Sequence, residues 1–507
     1  MTSSGICISL LVIPLALSAF THLWNPIGFP NLYFDEGIYM RRAIHTIEGQ
    51  GSQEELTFYD HPYFGQLFLA GIFKIIGYPD SLNPSLGNVH SIETLYLVPR
   101  ILMGMLAVAD TFLIYKISER RYNRNVAFIA SVLFAIMPIT TWLLRWILLD
   151  TIQLPFILTS ILFAVYYTKD SKINNVSKNK RNLTVILLSG IFLGLSIFTK
   201  VPAFTMIPVV GFLIYTQNNN RYVLGLWLVP VILIPLIWPI YSISVSRFNY
   251  WLDGILWQIH RASQPLFGSI HIFFNNDPIL LILGISGLIF AAIKKDLLLL
   301  LWFIPLLVFL YLIGFVSLYH LIPLLPVFCI AAARFIEDLT RRITNKNAQQ
   351  IFLQFIIISV IGIFGLSNTI IMLTTNVNSS YFKAAAFIPQ YLQNNNNNNY
   401  KNTYNNNNKV TIIADAFYLW IPQYIFHLDQ NYKNYFDNTP TKAEKILLIV
   451  DRGFLNAMSR NDESSKIIQK IYNSQYTNKL LTFHENPNQG DQVSIYLYES
   501  KSGINTN

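Results

Sequence analysis

The chain has 507 residues, of which 53% are hydrophobic and 12% charged, about half the charge fraction of a soluble domain. This excludes an ordinary soluble fold and points to a polytopic membrane protein, whose aromatic content of 14% suits two membrane interfaces. The net charge of +9 is spread between apolar runs rather than pooled, which argues against nucleic acid.

The first apolar run, 6–24, has small residues near its end but no Lys or Arg at its start, and further runs follow it. It reads as a signal-anchor helix, not a cleaved signal peptide. The stretch 25–99 then reads as one long loop. It opens with "LYFDEGIYMRR", where Asp35 and Glu36 form a compact acidic pair beside the membrane. A general base needs a carboxylate held near an acceptor hydroxyl, and this pair can supply one. Farther along, "YDHP" brings Asp60 and His61 before "FGQLFLAGIFKII". At about 13 residues with Lys74 inside it, that segment is too short to span and reads as an interfacial helix.

Runs long enough to cross a bilayer recur near 100–117, 126–143, 151–167, 184–199, 202–216, 222–241, 278–293, 297–316, 321–336 and 351–373, about eleven spans with the first. The basic stretches "KISERRYNR", "KDSKINNVSKNKR", Arg221, "KK" at 294–295 and "RFIEDLTRRITNK" fall in alternate loops. The positive-inside rule makes those loops cytoplasmic, with the amino terminus inside and the tail outside. On the outer side this collects Arg100, Arg145, Asp150, Lys200, Arg261 and His320 with the first-loop acids. Cations at that depth suit a lipid-linked phosphate. Asp110, within a span, reads as a hydrogen-bonded packing residue.

The tail from 374 changes character. Polar "NNNNNN" (394–399) and "NNNN" (405–408) tracts precede "KVTIIADAFYLWIP" and "KILLIVDRGFLNAMS", which read as buried strands leading into helices of a small α/β domain. "NSS" at 378–380 is a glycosylation sequon. The domain organisation is therefore 1–24, first transmembrane helix; 25–99, extracytoplasmic loop; 100–373, remaining helices; and 374–507, extracytoplasmic domain. Cys7 and Cys329 lie in apolar runs and offer no disulfide framework or cysteine metal site. His61, Asp60 and Asp150 lack metal-ligand spacing, so a divalent metal is not favoured.

The motifs "FDEGIY" (34–39), "YDHPYFGQLFLAGIFKIIGYP" (59–79), "VPRILMGMLAV" (98–108), "WLLRWILLDT" (142–151), "GLSIFTKVPA" (194–203) and "YHLIPLLPVF" (319–328) occur in order. In this the chain resembles the membrane glycosyltransferases of the GT-C fold, in particular the protein O-mannosyltransferase and aminoarabinose-transferase group. The resemblance is good over about 1–210 and rests on general helix pattern beyond. Tyr63 stands where the family often has a second proline, and the "WWD" element of oligosaccharyltransferases is absent.

The resemblance implies a GT-C-like helical membrane protein that moves one mannose-like sugar. The donor is a polyprenyl-phosphate-linked sugar and the acceptor a hydroxyl on a protein, glycan or lipid at the outer face of the cell membrane. Asp35 corresponds to the family's catalytic base, with Glu36 beside it and Asp150 as the second acid. Asp60, His61, Arg100, Arg145, Lys200, Arg261 and His320 are the expected substrate-binding residues, and no cofactor is required. The alternative class is a transporter or flippase of a lipid-linked substrate, for which an internal repeat is the discriminating feature.

Overall fold

A computed structural model describes residues 3–50, 60–167, 176–218, 221–261, 264–344, 346–399, 410–435, 445–460, 463–484 and 492–499. The "NNNN" tract at 405–408 lies outside them.

In chain order the helices are α1 (Ser3–Leu23), α2 (Phe34–Ile47), α3 (Phe64–Ile76), α4 (Val89–Arg121), α5 (Arg124–Ile136), α6 (Pro138–Leu143), α7 (Leu149–Tyr166), α8 (Val176–Thr199), α9 (Ile207–Asn218) and α10 (Arg221–Ser244). They continue as α11 (Phe248–Ile259), α12 (Leu266–Asn276), α13 (Pro278–Ile293), α14 (Leu297–Ile313), α15 (Leu325–Ile343), α16 (Asn347–Thr374) and α17 (Ser379–Asn399). The protein is a multi-pass, mostly helical membrane protein. Among the described residues six helices are long and apolar enough to cross a bilayer, or seven if the bent pair α12–α13 is one span.

Every apolar run read as a span is helical among the described residues, though several are short or interrupted, and the count of eleven is not confirmed. The run 126–143 breaks at Met137, which is extended (φ −73°, ψ 138°), because a residue before proline is pushed out of the helical region. Pro138 then opens α6, where its missing N–H costs nothing. The run 202–216 begins as a 3₁₀ turn, Val201–Met206, before α9. The run 297–316 stops at Gly314, in the left-handed region (φ 71°) that glycine adopts without strain. The supposed outer loop 242–277 is largely helical, as α11 and α12.

The chain divides into two compact units. The first comprises Met1–Trp24, Ser52–Phe68 and Ile101–Leu373. Within it α7 packs on α8, α8 on α10, and α15 on both α5 and α13. The α13–α15 contact is backbone-close: a Cβ at Gly287 would collide with the Ala331 carbonyl. Small residues are the means by which membrane helices approach this closely.

The second unit comprises Asn25–Gly51, Leu69–Arg100 and Thr374–Asn507. It contains β1 (Thr411–Ile413), β2 (Asn431–Lys433), β3 (Lys445–Val450), β4 (Thr477–Phe483) and β5 (Val493–Glu499). These form one sheet in the order β2-β1-β3-β5-β4. β1 is parallel to β2 and β3, whereas β5 is antiparallel to β3 and β4. The expected strand-to-helix units are present, β1 leading into α18 (Ala416–Trp420) and β3 into α19 (Arg452–Met458). With α20 (Glu463–Tyr472), α19 covers the sheet, burying Ile446, Leu448, Phe454, Ile468 and Ile471.

Candidate active site

The acidic pair occupies the first turn of α2, and helix geometry sends its members apart. Adjacent side chains on a helix diverge by roughly 100°, so Glu36 is buried while Asp35 remains half-buried. Glu36 accepts from the Tyr33 backbone N–H at 2.9 Å, which caps the helix start. Its two carboxylate oxygens are forked by Arg100, Nε at 3.0 Å and Nη2 at 2.8 Å.

Arg100 spends its other three N–H groups on backbone carbonyls: Pro26 at 2.9 Å, Pro30 at 2.8 Å and Asn31 at 3.3 Å. A guanidinium has five donors, and all five are used within the protein. Arg100 therefore does not present a donor to a lipid phosphate, as the sequence reading expected. It locks Glu36 and the turn that leads into α2.

The same turn is held from a residue that sequence reasoning missed in this role. Asn378 was visible only as the head of a sequon. It is fully buried, and its Nδ2 donates to the carbonyls of Ile27 at 2.7 Å and Pro30 at 2.8 Å. Its Oδ1 accepts from the Leu32 N–H at 3.0 Å. An amide nitrogen so placed is not available to accept a glycan.

The first turn of α2 also lies directly on α18. Gly37 faces the backbone of Ala416 and Phe417 so closely that any Cβ there would overlap it. The short α18 is fixed in turn by Tyr96, whose hydroxyl donates to the Phe417 carbonyl at 2.6 Å and accepts from Trp420 Nε1 at 2.8 Å. Asp415, just before α18, is within reach of the Asp35 charge. Burial first, then the Asp451 carboxylate and more weakly Asp35, push Asp415 well above the usual carboxylate range. Burial likewise raises Asp451 to about 6, although its carboxylate caps α19 by accepting from the Phe454 N–H at 2.8 Å.

A second set of residues converges within the helical unit. Asp150 opens α7 and pairs with Lys200, which ends α8, at 2.6 Å with both side chains buried. The Lys200 ammonium also lies 4.7 Å from the centre of the Tyr319 ring. His61, Lys200 and Arg261 are electrostatic neighbours of His320. His320 accepts from the Ser317 N–H through Nδ1 at 3.0 Å, so its other ring nitrogen is the protonated one. Arg261 is sandwiched between Trp257 at 4.5 Å and Phe315 at 4.1 Å. Asp60 and His61 are 3.8 Å apart. The structure thus brings His61, Lys200, Arg261 and His320 together, with Asp150 compensating one charge.

Arg145 is placed elsewhere. It is fully buried and donates to the Trp24 carbonyl at 2.6 Å, at the carboxyl end of α1, where a cation complements the helix dipole. Asp110 is buried in α4 and neither oxygen has a hydrogen-bond partner, contrary to the expected packing bond. Among the described residues no three His, Cys, Asp or Glu side chains gather in a metal-binding arrangement.

Residues 12–252 match the family model of dolichyl-phosphate-mannose-protein mannosyltransferases. Among solved structures, the chain is similar to archaeal oligosaccharyltransferase AglB from Archaeoglobus fulgidus, in complex with an inhibitory peptide and a dolichol-phosphate. That match has a TM-score of 0.59 at 12% identity and covers 98% of this chain and 74% of that one. It is also similar to ArnT from Cupriavidus metallidurans bound to undecaprenyl phosphate, with a TM-score of 0.57 at 10% identity over 97% of this chain and 98% of that one. A comparison with curated proteins gives no match. The fold is that of the GT-C membrane glycosyltransferases, and the match over 12–252 bears out the resemblance to the protein O-mannosyltransferase and ArnT-like group. The family model covers a little under half of the chain, and the similarity to solved structures is one of fold.

Proposed function

We propose that this GT-C membrane protein transfers a single, mannose-like sugar from a polyprenyl-phosphate donor to an acceptor hydroxyl, with inversion at the anomeric carbon. The observation that carries the reading is the first turn of α2, where Glu36 is consumed by Arg100 and Asp35 stays half-exposed on a turn fixed from several sides. A rigidly presented carboxylate is what general-base catalysis requires.

In this reading Asp35 takes the acceptor's proton as its oxygen attacks the anomeric carbon. The bond from that carbon to the phosphate oxygen breaks, and the phosphate leaves with the electron pair. A phosphate needs little acid assistance, but its charge needs stabilising. His61, Lys200, Arg261 and His320 are assigned that task, supported by their convergence in the helical unit. The lipid phosphates bound by the AglB and ArnT structures agree with such a donor. The reading assigns no cofactor and leaves the acceptor as a protein, glycan or lipid hydroxyl. It places the amino terminus in the cytoplasm and the α/β domain outside.

The test is an assay of purified variants with a short-chain polyprenyl-phosphate mannose. Asp35→Asn keeps shape but loses basicity, and general-base removal typically costs about 10²–10⁴-fold in rate. A folded Asp35→Asn protein that turns over at the wild-type rate overturns the mechanism.

A further inference from the structure

The candidate site leaves one charged cavity of the helical unit unused. A cavity of about 620 Å³ is lined by Arg121, Lys294, Lys295, Arg334 and Arg341, with Tyr122 among them. Ligand cavities commonly measure about 300–1,000 Å³. The cations come from the end of α4, the α13–α14 turn and α15, so elements distant in sequence converge on it.

Three nearby carboxylates offset part of this charge, Asp338 lying 3.9 Å from Lys294. Asp296 accepts from the Tyr122 hydroxyl at 2.8 Å, and buried Glu337 pairs with Arg341 at 2.7 Å and with Arg334 at 3.5 Å. Five cations against three carboxylates leave the cavity net positive. Arg334 stacks 4.5 Å from the Tyr122 ring centre and buries an Nε that has no hydrogen-bond partner. Lys295 sits in the left-handed region at φ 55°, where a lysine is uncommon and glycine is the usual residue.

This cavity is at the opposite end of α7 from Asp150. Arg120, next to Arg121, lies 5.7 Å from the ring of Tyr166, the last residue of α7, roughly 24 Å along that helix from Asp150 at 1.5 Å per residue. Exposed apolar side chains flank the lining residues in sequence: Ile293, Leu297 and Ile343 are 72%, 45% and 63% exposed. On a membrane helix such side chains face acyl chains.

We propose that the cavity binds the phosphate headgroup of an anionic lipid, from the leaflet at the basic end of the helices. Guanidinium and ammonium groups supply the headgroup contacts, and the flanking apolar side chains take the start of the acyl chains. Clustered basic residues at a membrane surface favour anionic lipids by charge, and arginine in particular forks phosphate oxygens.

Full-length protein in detergent, stripped of lipid, is titrated with phosphatidylglycerol while native mass spectrometry counts bound molecules. The probe should bind saturably, phosphatidylcholine should not, and millimolar inorganic phosphate should fail to displace it. Arg121→Gln, Lys294→Gln and Lys295→Gln combined should weaken binding by at least about tenfold, since each basic residue contributes roughly a factor of five. Lys295→Gln alone, which leaves every ion pair named above intact, should weaken it in the same direction. Unchanged phosphatidylglycerol binding in the combined variant overturns the proposal. Displacement by inorganic phosphate also overturns it, reassigning the cavity to a soluble anion.

Discussion

At the residue scale, the adjacent carboxylates of α2 have opposite tasks. Glu36 is fully buried and bidentate with Arg100, so in the proposed mechanism its contribution is to the fold. Breaking a buried pair strands the other charge, which costs about 3–5 kcal/mol. Arg100→Ala and Glu36→Gln should therefore lower the unfolding temperature and yield of purified protein. Glu36→Gln combined with Arg100→Met should cost less than the sum of the two single changes in a double-mutant thermal unfolding cycle. Additive losses would mean that the two side chains act independently. The acids and their order were legible in the sequence, as was the concentration of cations. The backbone partners of Arg100 and Arg145 were not legible, because residue type does not reveal them. Arg100 is spent partly on the carbonyls of Pro26, Pro30 and Asn31, and Arg145 on that of Trp24. Asn378, more than three hundred positions from the turn it holds, left no local signal except a sequon.

At the element scale, α2 is placed by what its Gly37 touches. The absence of a side chain lets the helix lie on the Ala416–Phe417 backbone, a contact that no rotamer change can relieve. Gly37→Ala should destabilise the unit by about 1–3 kcal/mol, the usual range for overpacking, and reduce transfer because Asp35 rides on the same turn. Gly71→Ala, where nothing lies within 4 Å, is the control and should be neutral or mildly stabilising. Equal melting temperatures for Gly37→Ala and wild type would show that the contact is loose. The helices themselves were legible from apolar length, and the strand-helix units of the tail from short apolar runs before Asp415 and Asp451. Their interruptions were less so. The prolines at 138 and 202 were visible, but an apolar run carries through a break without changing composition.

At the scale of the whole molecule, the proposed orientation rests on the charge of the connecting segments. Single cysteines at exposed positions Asn456 and Lys346, in a Cys7→Ser and Cys329→Ser background, separate the two faces. The proposed orientation expects Asn456→Cys to react with an impermeant thiol reagent in intact cells and Lys346→Cys to react only after lysis. The reverse pattern would place the α/β domain in the cytoplasm and remove Asp35 from the outer face. Hydropathy made the multi-pass helical architecture readable, because the bilayer constrains every span alike. The grouping of 25–51 and 69–100 with the tail in one compact unit was not readable. It depends on buried side chains such as Tyr96 and Asn378, whose partners are remote in sequence.

That grouping also fixes when the chain can become active. Asp35 emerges early in synthesis, but Asn378 and the Ala416–Trp420 helix that hold its turn are made some 340 to 380 residues later. At the usual pace of about 5–20 residues per second, that delay is tens of seconds. Under the proposed mechanism the nascent protein carries Asp35 throughout this interval without the scaffold that aims it, so a chain that ends before the tail would hold its membrane helices and transfer nothing. On that mechanism, synthesis of the α/β domain is a condition for activity.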